Sequence, residues 1–223
     1  FCFISNIDSP QPNTIIDGNE RVIRPRFADA EYFWKEDQKI PLEEYRHALE
    51  AVIFQAQLGS QADKIHRVES LSQTIATHLG TDNKIVARAA QLNKADLVSN
   101  MVQEFPELQG TMARHYAIAQ GEPLPVAHAL EEVYWPRFSG DKLPQSLEAT
   151  TLGLAERLDT IVGIFAIGEI PTGSRDPFSL RRNALAILRL LVENKLHFNL
   201  KTFIDESAKL MPPGIKAEKS TSL

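Results

Sequence analysis

Residues 152–191, LGLAERLDTIVGIFAIGEIPTGSRDPFSLRRNALAILRLL, constrain the fold more than any other stretch of the chain. Leu154, Leu158, Ile161, Val162 and Phe165 recur at steps of three and four, the period of a helix with one apolar face. Gly168 ends that helix, and PTGSRDP follows as a turn cluster. Asp176 stands where an N-cap belongs, with Pro177 at the first helical position, where a missing N–H costs nothing. Phe178, Leu180, Leu185, Leu188, Leu191 and Val192 then form a second apolar stripe, with Arg175, Arg181 and Arg182 around its start. A helix–turn–helix pair of this length must bury its stripes against other helices.

The rest of the chain supplies them. Helices are expected from Gly18 through Gln38 with an irregularity at Pro25, from Pro41 to about Ala56, and from Gln61 to Leu79. Asp82 suits the cap of one continuous helix that ends before Pro106. Shorter helices are expected over 107–118 and 126–134, and Asn199 caps a last one that Pro212 and Pro213 break. FCFIS is the one strand-like segment, and residues 1–16 are expected to be weakly anchored. The chain is therefore all-α. Its expected divisions are an extended segment over 1–17, connecting helices over 18–58, a helical domain over 59–210 and a flexible linker over 211–223.

With 223 residues and 43% hydrophobic content, the chain can bury a full core. It opens on FCF without Met and reads as a section of a longer polypeptide. No apolar run approaches the ~20 residues of a membrane span, and no signal-peptide pattern is present, which points to the cytoplasm. The single Cys2 excludes an internal disulfide and a Cys-rich zinc site. A net charge of −5 argues against a domain that coats nucleic acid, so any RNA contact must be a local basic patch.

AERLDTIVGIFAIGEIPTGSRDPFSLRRNALAILRLLVE resembles the core signature of the beta subunit of the bacterial heterotetrameric glycyl-tRNA synthetase. NKADLVSNMVQEFPELQGTMARHYA and YWPRFSGDKLP resemble the same family, and the likeness runs from about Gly18 to Leu210. Ala113 departs from a glycine of the family's MARHYA motif. The resemblance implies an aminoacyl-tRNA synthetase, a ligase of protein biosynthesis. Its whole enzyme, two alpha and two beta subunits, binds ATP and joins glycine to tRNA(Gly). The aminoacylation site belongs to the alpha subunit, so no catalytic residue and no cofactor is carried onto this chain.

With helices in this order, ARAAQLNKADL also resembles the HD superfamily of metal-dependent phosphohydrolases. Their pattern is a His on one helix, a His-Asp pair on the next and an Asp on a later one, because imidazoles and carboxylates hold divalent ions that activate water. Here Asn93 and Lys94 stand at the pair's place, His66 matches the first His, and Glu156 matches the later Asp. The resemblance implies a degenerate HD-like domain without metal or hydrolase activity. His66 also reads as an ordinary packed histidine on an apolar helix, and His115 in ARHYA is the one other histidine to watch.

Candidate tRNA contacts, expected near the acceptor arm, are Arg175, Arg181 and Arg182 at one helix start and Arg137 with Lys142 in YWPRFSGDKLP. Each has a competing role as partner to an acidic neighbour, and Asp176 competes for the same helix donors. Two rival functions stay open: a metal-dependent phosphohydrolase using His66 and Glu156, and a spacer that only binds the alpha subunit.

Overall fold

A computed structural model describes residues 1–215. Among the described residues ten α-helices carry the fold: α1 (Pro12–Asp37), α2 (Leu42–Ala48), α3 (Gln61–Leu79), α4 (Asn83–Leu92), α5 (Asn100–Glu104), α6 (Thr111–Ala119), α7 (Leu124–Glu132), α8 (Leu147–Ala166), α9 (Leu180–Glu193) and α10 (Leu200–Lys209). The expected all-α class holds. Among the described residues the exception is a short antiparallel hairpin, β1 (Ile53–Gln55) with β2 (Gly59–Ser60), whose first strand takes the end of the segment read as the second helix.

α8 is the hub. Sixteen of its residues are buried, so it is enclosed around nearly its whole circumference rather than along one stripe, with Arg157, Asp159 and three threonines among the buried side chains. It packs on α3, α4, α7, α9 and α10, and Leu152, Leu154 and Leu158 join Leu71, Ile75 and Leu130 in one core. Gly163 permits the close approach of the hairpin: a Cβ there would sit 3.0 Å from Leu58 and 3.3 Å from the sulfur of Met211. Ser146, Asp82 and Asn199 cap α8, α4 and α10 through their side chains.

Several expected boundaries move. FCFIS forms no strand, and the first helix begins at Pro12 rather than Gly18 and continues through Pro25. Proline at position one of α1 explains the earlier start, since its absent N–H is one the helix leaves unpaired anyway. α9 begins at Leu180, not at Pro177. Asp176 still supplies the capping, because its carboxylate accepts the N–H groups of Leu180 at 2.8 Å and Arg181 at 3.1 Å. The expected linker cannot start at 211, because Met211 is buried against the core. The remainder of that linker, 216–223, lies outside the described residues. No described helix is long and apolar enough to cross a membrane.

α1 stands apart. Asp37, in its last turn, is its one buried residue, while Ile16, Val22, Phe27 and Tyr32 are exposed along its length.

Candidate functional site

The helix expected to run unbroken from Asp82 to Phe105 breaks after Leu92, and the break makes the site. Asn93 is extended, and Lys94 adopts a left-handed backbone with φ +66°. That conformation costs a non-glycine residue roughly 1–2 kcal/mol, which packing must offset. The offset is Asp96, fully buried at the start of a short 3-10 turn (Ala95–Val98). Its Oδ2 accepts the backbone N–H groups of Gly110 at 2.6 Å and Ala113 at 3.2 Å, tying the turn to α6. Gly110 must be glycine: φ is +82°, and a Cβ would lie 2.6 Å from the Tyr134 ring.

Turned inward by this break, Asn93 and Lys94 face Glu156 of α8. Asn93 Nδ2 donates to Glu156 Oε2 at 3.1 Å, and Lys94 Nζ lies 3.7 Å from Glu156 Oε1. The third group on Glu156 comes from α3. Lys64 Nζ lies 3.0 Å from Glu156 Oε1 and donates to Thr160 Oγ1 at 2.7 Å. One turn along, Arg67 holds Asp159 through Nε at 2.7 Å and Nη2 at 3.3 Å. Arg157 donates to the carbonyls of Val133 at 2.8 Å and Trp135 at 2.9 Å, anchoring the YWPRF loop to the same centre.

The electrostatics follow from burial. Dehydration pushes the Glu156 carboxyl up, but the Lys64 and then Lys94 ammonium groups overcome it and hold the group down at about 2. Burial lowers Lys94 to about 8, with Glu156 opposing the fall. Burial likewise lowers Arg157 to about 10, and it raises Asp96 against the pull of the Gly110 N–H.

Of the four positions read from sequence, the structure brings together Asn93, Lys94 and Glu156. His66 does not join them. It is exposed on α3, with Nε2 3.5 Å from Arg46, and Lys64 takes the place expected of it. Residues two apart point about 200° apart around a helix. Lys64 shares the face of Val68, Leu71 and Ile75, and His66 lies on the opposite one. A lysine in phase with an apolar stripe was the available signal. His115 is also exposed, edge-on to Trp34.

This donor set does not fit a divalent metal. Two ammonium groups already lie on the one carboxylate, and a cation placed there would meet their repulsion in a dry setting. Among the described residues no group of three or more His, Cys, Asp and Glu is close enough to hold a metal.

The basic candidates fall around the start of α9. Arg181 is engaged locally, donating to the carbonyls of Gly173 at 2.9 Å and Pro171 at 3.4 Å. Arg137 pairs with Asp141, and Lys142 Nζ sits 3.4 Å above the Trp135 ring. Arg175 is exposed in the loop. Arg182 lines a groove of about 160 Å³ with Pro136, Phe138, Leu185 and Arg189, so the α9 start and the YWPRF loop form one face. Arg189 was not among the sequence candidates. Its Nη2 donates to the Asp141 carbonyl at 3.1 Å, a tertiary contact with no local signature.

The helical domain thus closes around a buried, ion-paired polar centre, with an arginine face beside it. The family model for the glycyl-tRNA synthetase beta subunit matches residues 1–222, and the chain belongs to that family. It is 48% identical to the glycine–tRNA ligase beta subunit of Neisseria meningitidis over 222 residues, 100% of this chain and 32% of the relative. Identity is 50% with the corresponding subunit of Photorhabdus laumondii, over 94% of this chain and 30% of the relative. With that of Pseudomonas entomophila it is 47%, over 97% and 32%. The chain thus spans about a third of the length of the curated relatives it matches.

Proposed function

We propose that this chain is a non-catalytic, degenerate HD-like domain of a glycine–tRNA ligase beta subunit, and that it holds tRNA, near the acceptor arm, on its α9 face. The whole protein, in this reading, works with an alpha subunit as a heterotetramer of two alpha and two beta chains, and ligates glycine to tRNA(Gly) using ATP. One observation carries the domain's role. Arg182 and Phe138 line one groove, a guanidinium with an aromatic ring, which suits a phosphate and a stacked base, while Arg189 on the same wall is held by Glu193 and the Asp141 carbonyl. The central ammonium groups support the non-catalytic half of the reading, since they stand where a phosphohydrolase would need its metal. The exposed apolar side chains of α1 favour a second duty, bracing neighbouring parts of the assembly.

Arg175→Gln with Arg182→Gln tests the face. Arg181 is left intact because it orders the loop. Affinity for tRNA(Gly) should fall about tenfold or more at moderate salt. The slope of log K against log salt should flatten by one to two phosphate contacts, roughly 0.9 each. Unchanged affinity and slope would remove this face from tRNA binding.

A further inference from the structure

We propose that the cavity at Glu156 is a binding site for a phosphate monoester. The inference goes beyond the tRNA face, and needs neither that face nor the alpha subunit. The cavity holds about 330 Å³, and the charged groups lining it are Lys64, Lys94 and Arg157 against Glu156 alone. Just outside it, Arg67 and Asp159 satisfy each other, and Asp96 directs one oxygen to the backbone of α6. The lining is therefore rich in positive charge.

The cations also have unused donors. Lys94 is almost buried, its side chain 11% exposed, yet its ammonium reaches Glu156 only at 3.7 Å and otherwise rests 3.6 Å over the Tyr134 ring. No acceptor among the described residues lies within hydrogen-bond distance of it. The Tyr134 hydroxyl lacks a well-formed hydrogen bond, and Arg157 Nε has no partner. A buried ammonium without acceptors is costly, and it is held there on a strained left-handed backbone.

An anion with several acceptor oxygens answers the first of these features, the Lys94 ammonium that opens to the cavity without an acceptor. A cationic ligand would add to the repulsion, and a neutral one would leave the charge unmatched. Glu156 does face the cavity and opposes an anion, but Lys64 and Asn93 already engage it at 3.0 and 3.1 Å. A phosphate presents acceptors to the Lys94 ammonium, as charge-assisted bonds in a poorly hydrated site. Phe54, Leu97, Val133 and Phe178 line the remaining wall, an apolar surface suited to the sugar or base of an esterified group.

Calorimetric titration of the intact protein with inorganic phosphate, AMP and adenosine tests this. AMP should bind and adenosine should not. Lys94→Gln should weaken AMP about tenfold or more, the loss of one hydrogen bond to a charged group. Lys94→Arg should retain most of the affinity, and Lys201→Gln, exposed on α10, should behave as wild type. Should Lys94→Gln fail to fold, broadening of the phosphorus resonance of AMP by wild-type protein reads the binding without a variant. A 5′-phosphorylated RNA oligonucleotide that outcompetes both AMP and its 5′-hydroxyl counterpart would place the phosphate on an RNA end. AMP binding as tightly as that oligonucleotide would mark a free monoester. Absence of binding by phosphate, AMP and 5′-phosphorylated RNA at millimolar concentration would overturn the proposal, as would Lys94→Gln binding AMP like wild type.

Discussion

Glu156→Gln is expected to destabilise the fold by about 3–5 kcal/mol, the usual cost of breaking a buried ion pair by removing one partner. The carboxylate is the common counter-charge for Lys64 and Lys94 and accepts from Asn93. Glutamine preserves the shape and removes the charge, leaving two dehydrated ammonium groups with only Asp159, at 3.5 Å from Lys64, to balance them. Adding Lys94→Met should recover part of the loss, because an apolar side chain of similar length removes one of the stranded charges. A double-mutant cycle by chemical denaturation measures the coupling.

The same group sets an acid dependence. Its folded pKa lies near 2, against 4.5 unperturbed, so the unfolded chain takes up the proton first. The stabilisation is complete above about pH 4.5 and is lost as pH falls toward 2, a total of about 3 kcal/mol for this group. Wild type should therefore lose stability through that window more steeply than Glu156→Gln. Parallel acid profiles for the two proteins would contradict the assignment. Lys94 acts at the other end. Held at about 8 rather than 10.5, it releases its proton earlier in the folded state, so its contribution rises with pH between those values.

Asp37→Ala should cost about as much, roughly 3–5 kcal/mol, through unpaired donors rather than unpaired charge. Its Oδ1 accepts from Asn100 N at 3.0 Å, Asn100 Nδ2 at 2.7 Å and the Tyr45 hydroxyl at 3.2 Å. Its Oδ2 accepts from Met101 N at 2.9 Å and the Tyr116 hydroxyl at 2.7 Å. One buried carboxylate thus joins the end of α1 to α2, α5 and α6. Alanine would leave all five donors facing a site too small to hydrate them well. Denaturant midpoints measure the loss. Hydrogen exchange should show the last turn of α1 and all of α5 opening first. A change below 1 kcal/mol would show that α1 is held by its aromatic contacts instead.

Elements with a clean helical period were legible in the sequence. α8 declared itself by its helical period, and Asp82 and Asn199 by cap chemistry acting within three residues; the stripe read on α9 is not the buried one, since Leu185, Leu188 and Val192 are exposed and Leu180, Ala186, Ile187 and Leu190 face the core. Features that depend on distant partners were not. LNKADL contains no glycine or proline, so nothing local marks the left-handed turn at Lys94, which Asp96 enforces through the backbone of Gly110 and Ala113. Asp37 sits in a run, KEDQK, that reads as a solvated helix end, and only the arrival of α5 and α6 buries it. At the site, residue type and helical phase point to different residues: His66 carries the ligand-like side chain, whereas Lys64 lies on the buried face. Arg137, Arg175, Arg181 and Arg182 were legible as positive charges, but that Asp141 holds Arg137 and that the Gly173 and Pro171 carbonyls hold Arg181 became clear only from the folded loops.

Manganese titration of the intact protein, followed by paramagnetic resonance, tests the central claim that ammonium groups have replaced a metal. Wild type should leave the manganese signal free at concentrations where metallohydrolases saturate. A variant combining Lys64→His, Asn93→His and Lys94→Asp should gain a site that Glu156→Gln then removes. Stoichiometric, tight manganese binding by wild type that disappears in Glu156→Gln would contradict the claim and restore the hydrolase reading.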